Sequence, residues 1–257
     1  MCLVVWMMLA AGAAFAEEIN VTLSPPEGGS GFTMEVLAVQ KPRRIFRVYI
    51  YHTHTYEAYD MADGNTYTAT ETWRTADSRY NMIRVGEELK KELEALGVEV
   101  THDVTAYEPP KLSSAYARSL EGLKKAAAEG YDLYIDLHRD AYSRGNGPNT
   151  VQMNGKNVAR VLFLIGRGDS FDGAEKPDDQ KNREAALWIS DAMNAALPGI
   201  SRGVSLKSGR YNQHAATPCI LLEAGNNQNT LSQTLAAMPC VAQGICSYFD
   251  NMQLQEP

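Results

Sequence analysis

From residue 46 onward the chain alternates short apolar runs with longer amphipathic stretches. Val48-Tyr49-Ile50-Tyr51 is apolar and β-rich and runs straight into His52. A loop rich in Thr, Asp and Gly follows over 60–75. Next come Met82, Val85, Gly86, Leu89, Leu93 and Leu96 at helical spacing, with Asp77 as the expected cap and Gly97 as the stop. A second strand is expected over 98–102. A second helix should open at Ser113 or Ser114 and run to about Glu129, closed by Gly130. DLYIDL over 132–137 reads as a third strand with His138-Arg139-Asp140 at its carboxyl end. Asn154-Gly155 then marks a hairpin turn before the buried strand over 161–165. A helix over 181–197 ends at Pro198-Gly199, and 203–207 is a candidate short strand. CILLE over 219–223 is a buried strand, and 230–252 is helical with a break near Pro239.

Strands interleaved with helices predict an α/β fold, with a mostly parallel central sheet and helices on both faces. Such sheets collect ligands beyond the carboxyl ends of their strands. The chemistry-bearing residues fall there: His54 and Glu57 after the first strand, His138 after the third, Glu223 at the end of the last. His54-Thr55-Tyr56-Glu57 is a His-x-x-Glu pair, a nitrogen and a carboxylate oxygen at a step that lets both turn onto one cation. With His138 the set becomes two nitrogens and one carboxylate, which leaves a fourth zinc position open for water. His52 lies on the same face as His54 in an extended strand and competes with it for the first ligand position. His54 is preferred because it alone makes the spacing, which leaves His52 behind the ligands.

Glu223 ends an apolar strand, where desolvation lifts a carboxyl pKa toward that of a working acid or base. Arg139 is a candidate to hold a substrate carboxylate or polarise a carbonyl; a salt bridge to Asp136 or Asp140 is the structural alternative. Asn212, Gln213 and Asn226 are candidates for the cleft wall, beside His214. Asp77 and Asn81 read as helix caps.

Composition narrows the class. Hydrophobic residues make up 44% and charged residues 21% of 257, ordinary for a globular protein, and the net charge of −7 argues against nucleic acid as a partner. Residues 1–16 carry no charge and close on Ala14-Phe15-Ala16, so they read as a signal peptide or short membrane segment, and the protein as extracytoplasmic, secreted or anchored. Residues 17–45 hold Pro25-Pro26-Glu27-Gly28-Gly29 and read as a linker, with 32–39 a candidate edge strand; 46–257 is the catalytic domain. Beyond Cys2 there are three cysteines, Cys219, Cys240 and Cys246, with no metal-finger spacing, so buried thiols are expected.

Taken together, YIYHTHTYEAY, DLHRDA and YNQHAATPCILLEAGNNQNT resemble the stage II sporulation protein P family over roughly 46–249. The resemblance implies a zinc-dependent N-acetylmuramoyl-L-alanine amidase acting on peptidoglycan in sporulation, with an endopeptidase activity on the stem also reported in the family. It implies a lytic transglycosylase partner, stage II sporulation protein D. By position, His54, Glu57 and His138 would be Zn2+ ligands and Glu223 the catalytic acid/base. A zinc carboxypeptidase is the other enzyme reading, and a cell-wall binding module without activity is the third.

Overall fold

The computed structural model describes residues 19–24, 33–38, 44–64, 66–141, 149–171 and 175–255. The chain divides into two units, Met1–Arg44 and Ile45–Pro257. In the first, β1 (Ile19–Ser24) and β2 (Thr33–Ala38) pair antiparallel, Ile19 opposite Ala38 and Ser24 opposite Thr33. The strand expected over 32–39 is thus present, and its partner is a segment read as linker. The expected signal segment, 1–16, lies outside the described residues.

The second unit is built on one six-stranded sheet. Its strands are β3 (Arg47–Tyr51), β4 (Glu99–His102), β5 (Leu133–Asp140), β8 (Val161–Gly166), β9 (Ser201–Lys207) and β10 (Cys219–Asn226), in the spatial order β4-β3-β5-β10-β8-β9. All neighbours are parallel except β10 with β8, so the sheet is mostly parallel, as the strand–helix alternation predicts. The hairpin β6 (Thr150–Met153) and β7 (Lys156–Ala159) stands apart from it. Its turn places Asn154 and Gly155 at φ 51° and 76°, the left-handed pair that a two-residue type I′ turn requires.

Strand alternation sorts the sheet into two unlike faces. Val48, Ile50, Leu133, Ile135, Leu137, Ile220 and Leu222 join the main core. Against them pack α1 (Met82–Ala95), α3 (Asp179–Ala196) and α5 (Met238–Gln255) through residues such as Leu89, Ile189 and Phe249, all fully or almost fully buried. Deleting one such side chain to alanine costs about 2–5 kcal/mol. The opposite face carries Tyr49, Tyr51, Tyr134 and Cys219 and is covered by α2 (Ala115–Glu129) through Leu123 and Ala126. Helices therefore lie on both faces, but only one face is purely aliphatic. The other is lined by residues with polar tips, and its strand ends carry the site.

Three local expectations are corrected. Asn81, not Asp77, caps α1: its side chain accepts from the Ile83 N–H at 3.0 Å. Asp77 is held by Arg79, accepting from its N–H and its guanidinium, so the turn 77–80 ends before the helix begins. Pro239 does not break the last helix; it sits in the first turn of α5, where its missing N–H costs nothing. The break falls between α4 (Leu231–Leu235) and α5. Finally, β5 runs on through Asp140, so His138 and Arg139 belong to the strand itself.

Candidate active site

The carboxyl ends of β3, β5 and β10, three adjacent parallel strands, bring the predicted residues together. His54 lies in the turn after β3, and its carbonyl accepts from the Glu57 N–H at 3.2 Å. That i to i+3 turn is how the His-x-x-Glu spacing becomes proximity. Glu223 is in register with His138 across the β10–β5 pair, so both side chains leave the same face.

His138 is the hub. Its ring meets the His54 ring edge-to-face, with centroids 5.3 Å apart. Nδ1 lies 3.5 Å from Glu57 Oε2, and Nε2 lies 2.8 Å from Asp136 Oδ1. That last contact lacks the alignment of a hydrogen bond, so Nε2 counts among the buried atoms without a partner. Burial would lower the His138 pKa, but Asp136 and Glu57 outweigh it and hold the imidazole well above its usual value. Burial would likewise raise Glu57; His138, Arg139 and His54 override it and pull the carboxyl down to about 2. The two acids thus hold a positive charge between them.

Asp136 is the residue that the sequence pattern passed over. It is fully buried and accepts from Thr53 at both N–H (2.8 Å) and Oγ1 (2.7 Å). The signal for it was a charged residue inside an apolar strand, two positions before His138 and therefore on its face. Glu108, also buried, comes within 3.5 Å of His54 Nδ1 and contacts the Arg74 guanidinium. Nothing in the loop around Pro109-Pro110 announced it.

Glu223 retains some exposure as a residue, yet its Oε2 is buried and has no hydrogen-bond partner. Burial pushes its pKa up to about 8; the nearby Glu57 and Asp140 charges act in the same direction, and His138 and Arg139 oppose them. An acid so placed exchanges its proton near neutrality.

His52 is turned elsewhere. Its Nδ1 lies 2.9 Å from the Leu137 carbonyl and its Nε2 2.7 Å from His102 Nε2, so both ring nitrogens are engaged. Burial lowers the pKa of His52 to about 4 and that of His102 to about 3, the second also through His52, which keeps the pair neutral. Arg139 lies on the face opposite His138. Its N–H donates to Glu57 Oε2, and its guanidinium donates to the carbonyls of Ala58, Trp73 and Asp140. It is therefore committed to backbone rather than aimed at a substrate, and Asp140 pairs with Arg202 instead. Asn212 and Gln213 are buried bolts rather than cleft walls. Asn212 donates to the Tyr116 carbonyl and Ser119 Oγ, and Gln213 bridges Gly166 N–H and the Leu164 carbonyl. Asn226 closes the turn after β10 by accepting from Gln228 and Asn229.

Among the described residues, no three His, Cys, Asp or Glu side chains stand gathered in a metal-holding arrangement. The donor chemistry nevertheless fits a cation. His54 Nδ1 is buried without a hydrogen-bond partner, Glu57 is a carboxylate, and His138 stands between Glu57 and Asp136, where a cation would take the place of the imidazolium proton. His54, Glu57 and His138 are the residues that could hold one.

Comparisons with known proteins give the family and the fold. Residues 32–246 match the family Stage II sporulation protein P (SpoIIP). The Stage II sporulation protein P of Bacillus subtilis (strain 168) is 31% identical over 209 residues, which cover 76% of this chain and 49% of that protein. The chain thus spans about half the length of the curated relative it matches. The CwlD amidase from Clostridioides difficile, solved in complex with the GerS lipoprotein, superposes with a TM-score of 0.54 at 12% identity over 80% of this chain and 99% of that one. The catalytic domain of CwlV, an N-acetylmuramoyl-L-alanine amidase from Bacillus (Paenibacillus) polymyxa var. colistinus, gives 0.50 at 12% identity over 82% and 100%. These two likenesses establish a shared fold, that of amidase catalytic domains. The motif order, the match to 32–246 and the identity to the Bacillus subtilis protein together place the chain in the stage II sporulation protein P family.

Proposed function

We propose that Ile45–Pro257 is the catalytic unit of a zinc-dependent peptidoglycan hydrolase. It cleaves the amide between N-acetylmuramic acid and the L-alanine of the stem peptide during sporulation. The observation that carries the reading is Glu223: a buried carboxyl with an unpartnered oxygen and a pKa raised to about 8, in register with His138. Family membership and the amidase fold support it. His54, Glu57 and His138 would hold the zinc. When bound, zinc supplies a Lewis acid and brings the pKa of its water to about 7.

The chain's own residues do the rest. Glu223 Oε2 takes a proton from the water whose oxygen bonds to the scissile carbonyl carbon and returns it to the amine nitrogen as the C–N bond breaks, leaving a carboxylate on one product and an amine on the other. Asp136, fixed by two bonds from Thr53, orients the His138 ring through Nε2 and leaves Nδ1 facing Glu57. Arg139 anchors Glu57 and the loop carrying Trp73. With that guanidinium spent on carbonyls, a carboxypeptidase would lack its expected grip on a terminal carboxylate. Peptidoglycan lies outside the cytoplasm, so the unit works there. Endopeptidase cleavage and a stage II sporulation protein D partner rest on the family resemblance alone.

The test is zinc content together with digestion of purified peptidoglycan, for wild type and Glu223→Ala. One zinc in each protein, with intact stem peptides released by wild type only, supports the reading. Metal-free protein that binds wall without cutting it overturns it, and release of single terminal residues would point to a carboxypeptidase.

A further inference from the structure

The turn Tyr211-Asn212 holds two consecutive non-glycine residues at positive φ, 48° and 58°. Such residues sit uncommonly in the left-handed region and persist there only where their surroundings fix them. Here they do. Asn212 is bonded to α2 and Gln213 to β8, both buried. The surroundings also make room for the Tyr211 ring. A Cβ on Gly209 would lie 2.8 Å from Tyr211 Cε2, and one on Gly166 would lie 3.0 Å from Cδ2. A strained turn, two bolts and two glycine vacancies therefore set one partly exposed ring.

That ring completes a row. Tyr211 meets Tyr116 edge-to-face at 6.0 Å, and Tyr116 meets His54 in the same way at 5.5 Å. An aromatic wall thus leads outward from the site. At its far end stands Arg210, next in sequence to Tyr211. The centre holds Glu57, Asp136 and Glu108 beside His138, Arg74 and Arg139, whereas the outer end holds Arg210 and Lys124 with Glu175 around His214. The Arg210 guanidinium lies over the Phe171 ring at 4.3 Å and donates to the Glu175 carbonyl at 3.4 Å. Arg210 has a buried Nε and His214 a buried Nδ1 without hydrogen-bond partners. An aromatic wall that ends at a guanidinium suits a chain that carries apolar groups and then carboxylates.

We propose that Tyr116 and Tyr211, with Arg210 at their outer end, form the subsite that takes the stem-peptide side of the scissile amide, and that Arg210 meets a stem carboxylate. The inference rests on the hydrolase reading and adds direction to it: peptide along this wall, glycan on the other side of His54. Asn212 and Gln213 are positioning residues, acting through Tyr211.

The test uses zinc-loaded full-length protein carrying Glu223→Gln, which binds without turnover. Calorimetry measures affinity for muropeptides, for the same muropeptides with their carboxyls amidated, and for glycan strands stripped of stems. Tyr211→Ala should weaken muropeptide binding about tenfold and leave stripped glycan unaffected, and Tyr211→Phe should restore it. Arg210→Gln should weaken muropeptides several-fold and amidated ones not at all. In the turnover-competent protein, Tyr211→Ala should raise KM with kcat held. If Tyr211→Ala lowers the folded fraction, Arg210→Gln and Arg210→Lys, each checked by its thermal melt, carry the comparison. Equal binding by all variants, or a loss on stripped glycan, overturns the subsite while the hydrolase reading stands. Wild type that cuts no peptidoglycan overturns both.

Discussion

Burial of the Glu223 carboxyl costs stability as pH rises, and the cost can be measured. Its carboxyl, near 4.5 when unfolded, is pushed up to about 8 in the fold. Between those values the folded protein keeps a proton that the unfolded chain releases. The contribution is therefore fully present below pH 4.5 and is lost as pH rises toward 8. Each pH unit inside the window is worth about 1.4 kcal/mol for a fully buried group. From pH 5 to pH 7 this gives about 2.5 kcal/mol, or about 2 after allowing for the exposure Glu223 retains. Glutamine has the same shape and no proton to lose. In chelator-treated protein, urea unfolding of Glu223→Gln should gain about 2 kcal/mol on wild type between pH 5 and pH 7, roughly 4–8 °C in Tm. Titrating groups that do not interact with Glu223 cancel in that difference; Glu57, His138 and Asp140, which do, remain. Parallel stability–pH curves for the two proteins would refute the argument that Glu223 is held uncharged by burial.

Further expectations concern its surroundings. Asp136→Asn should cut zinc affinity about 10–100-fold by chelator competition, since it frees the His138 ring to turn, and an unchanged affinity would remove Asp136 from the site. The His52–His102 pair, with pKa values lowered to about 4 and 3, costs stability as pH falls from 6.5 toward 4, because the unfolded chain takes up protons first; His102→Gln should flatten that slope in thermal melts. A methyl group on Gly86 would lie 2.8 Å from His52 Nε2 and overlap the edge of His102, so Gly86→Ala should lose about 1–3 kcal/mol despite better helix propensity, and a raised Tm would contradict this packing. Asn81→Ala removes the cap of α1 and should cost about 1 kcal/mol in urea unfolding.

What could be read from the sequence was whatever lies close along the chain. Val48–Tyr51, the apolar run into Glu223 and the helix spacing of Met82 to Leu93 are local patterns, and the fold follows them. His54 and Glu57 are joined by one turn, so their spacing carried information. Asp136 meets Thr53 across 83 positions, and Glu108 meets His54 across 54, so no local pattern could pair them. Arg139, Asn212 and Gln213 stood out as polar residues in suggestive places. Their partners are mostly backbone groups far along the chain, and composition does not reveal which carbonyl a guanidinium will find. Asp77 was misassigned for the opposite reason: Arg79, two residues away, offered it a nearer partner than the helix did.

The position of β10 governs when the molecule becomes able to act. This strand is the last to be reached along the chain, yet it lies in the middle of the sheet, between β5 and β8. A chain that stops short of Cys219 leaves both neighbours with a bare edge and has no acid opposite His138. The machinery is assembled by one long-range insertion, not accumulated piece by piece. A chain without β10 therefore lacks both the middle of its sheet and the acid of the proposed site, so on the hydrolase reading it is inert until that strand is in place.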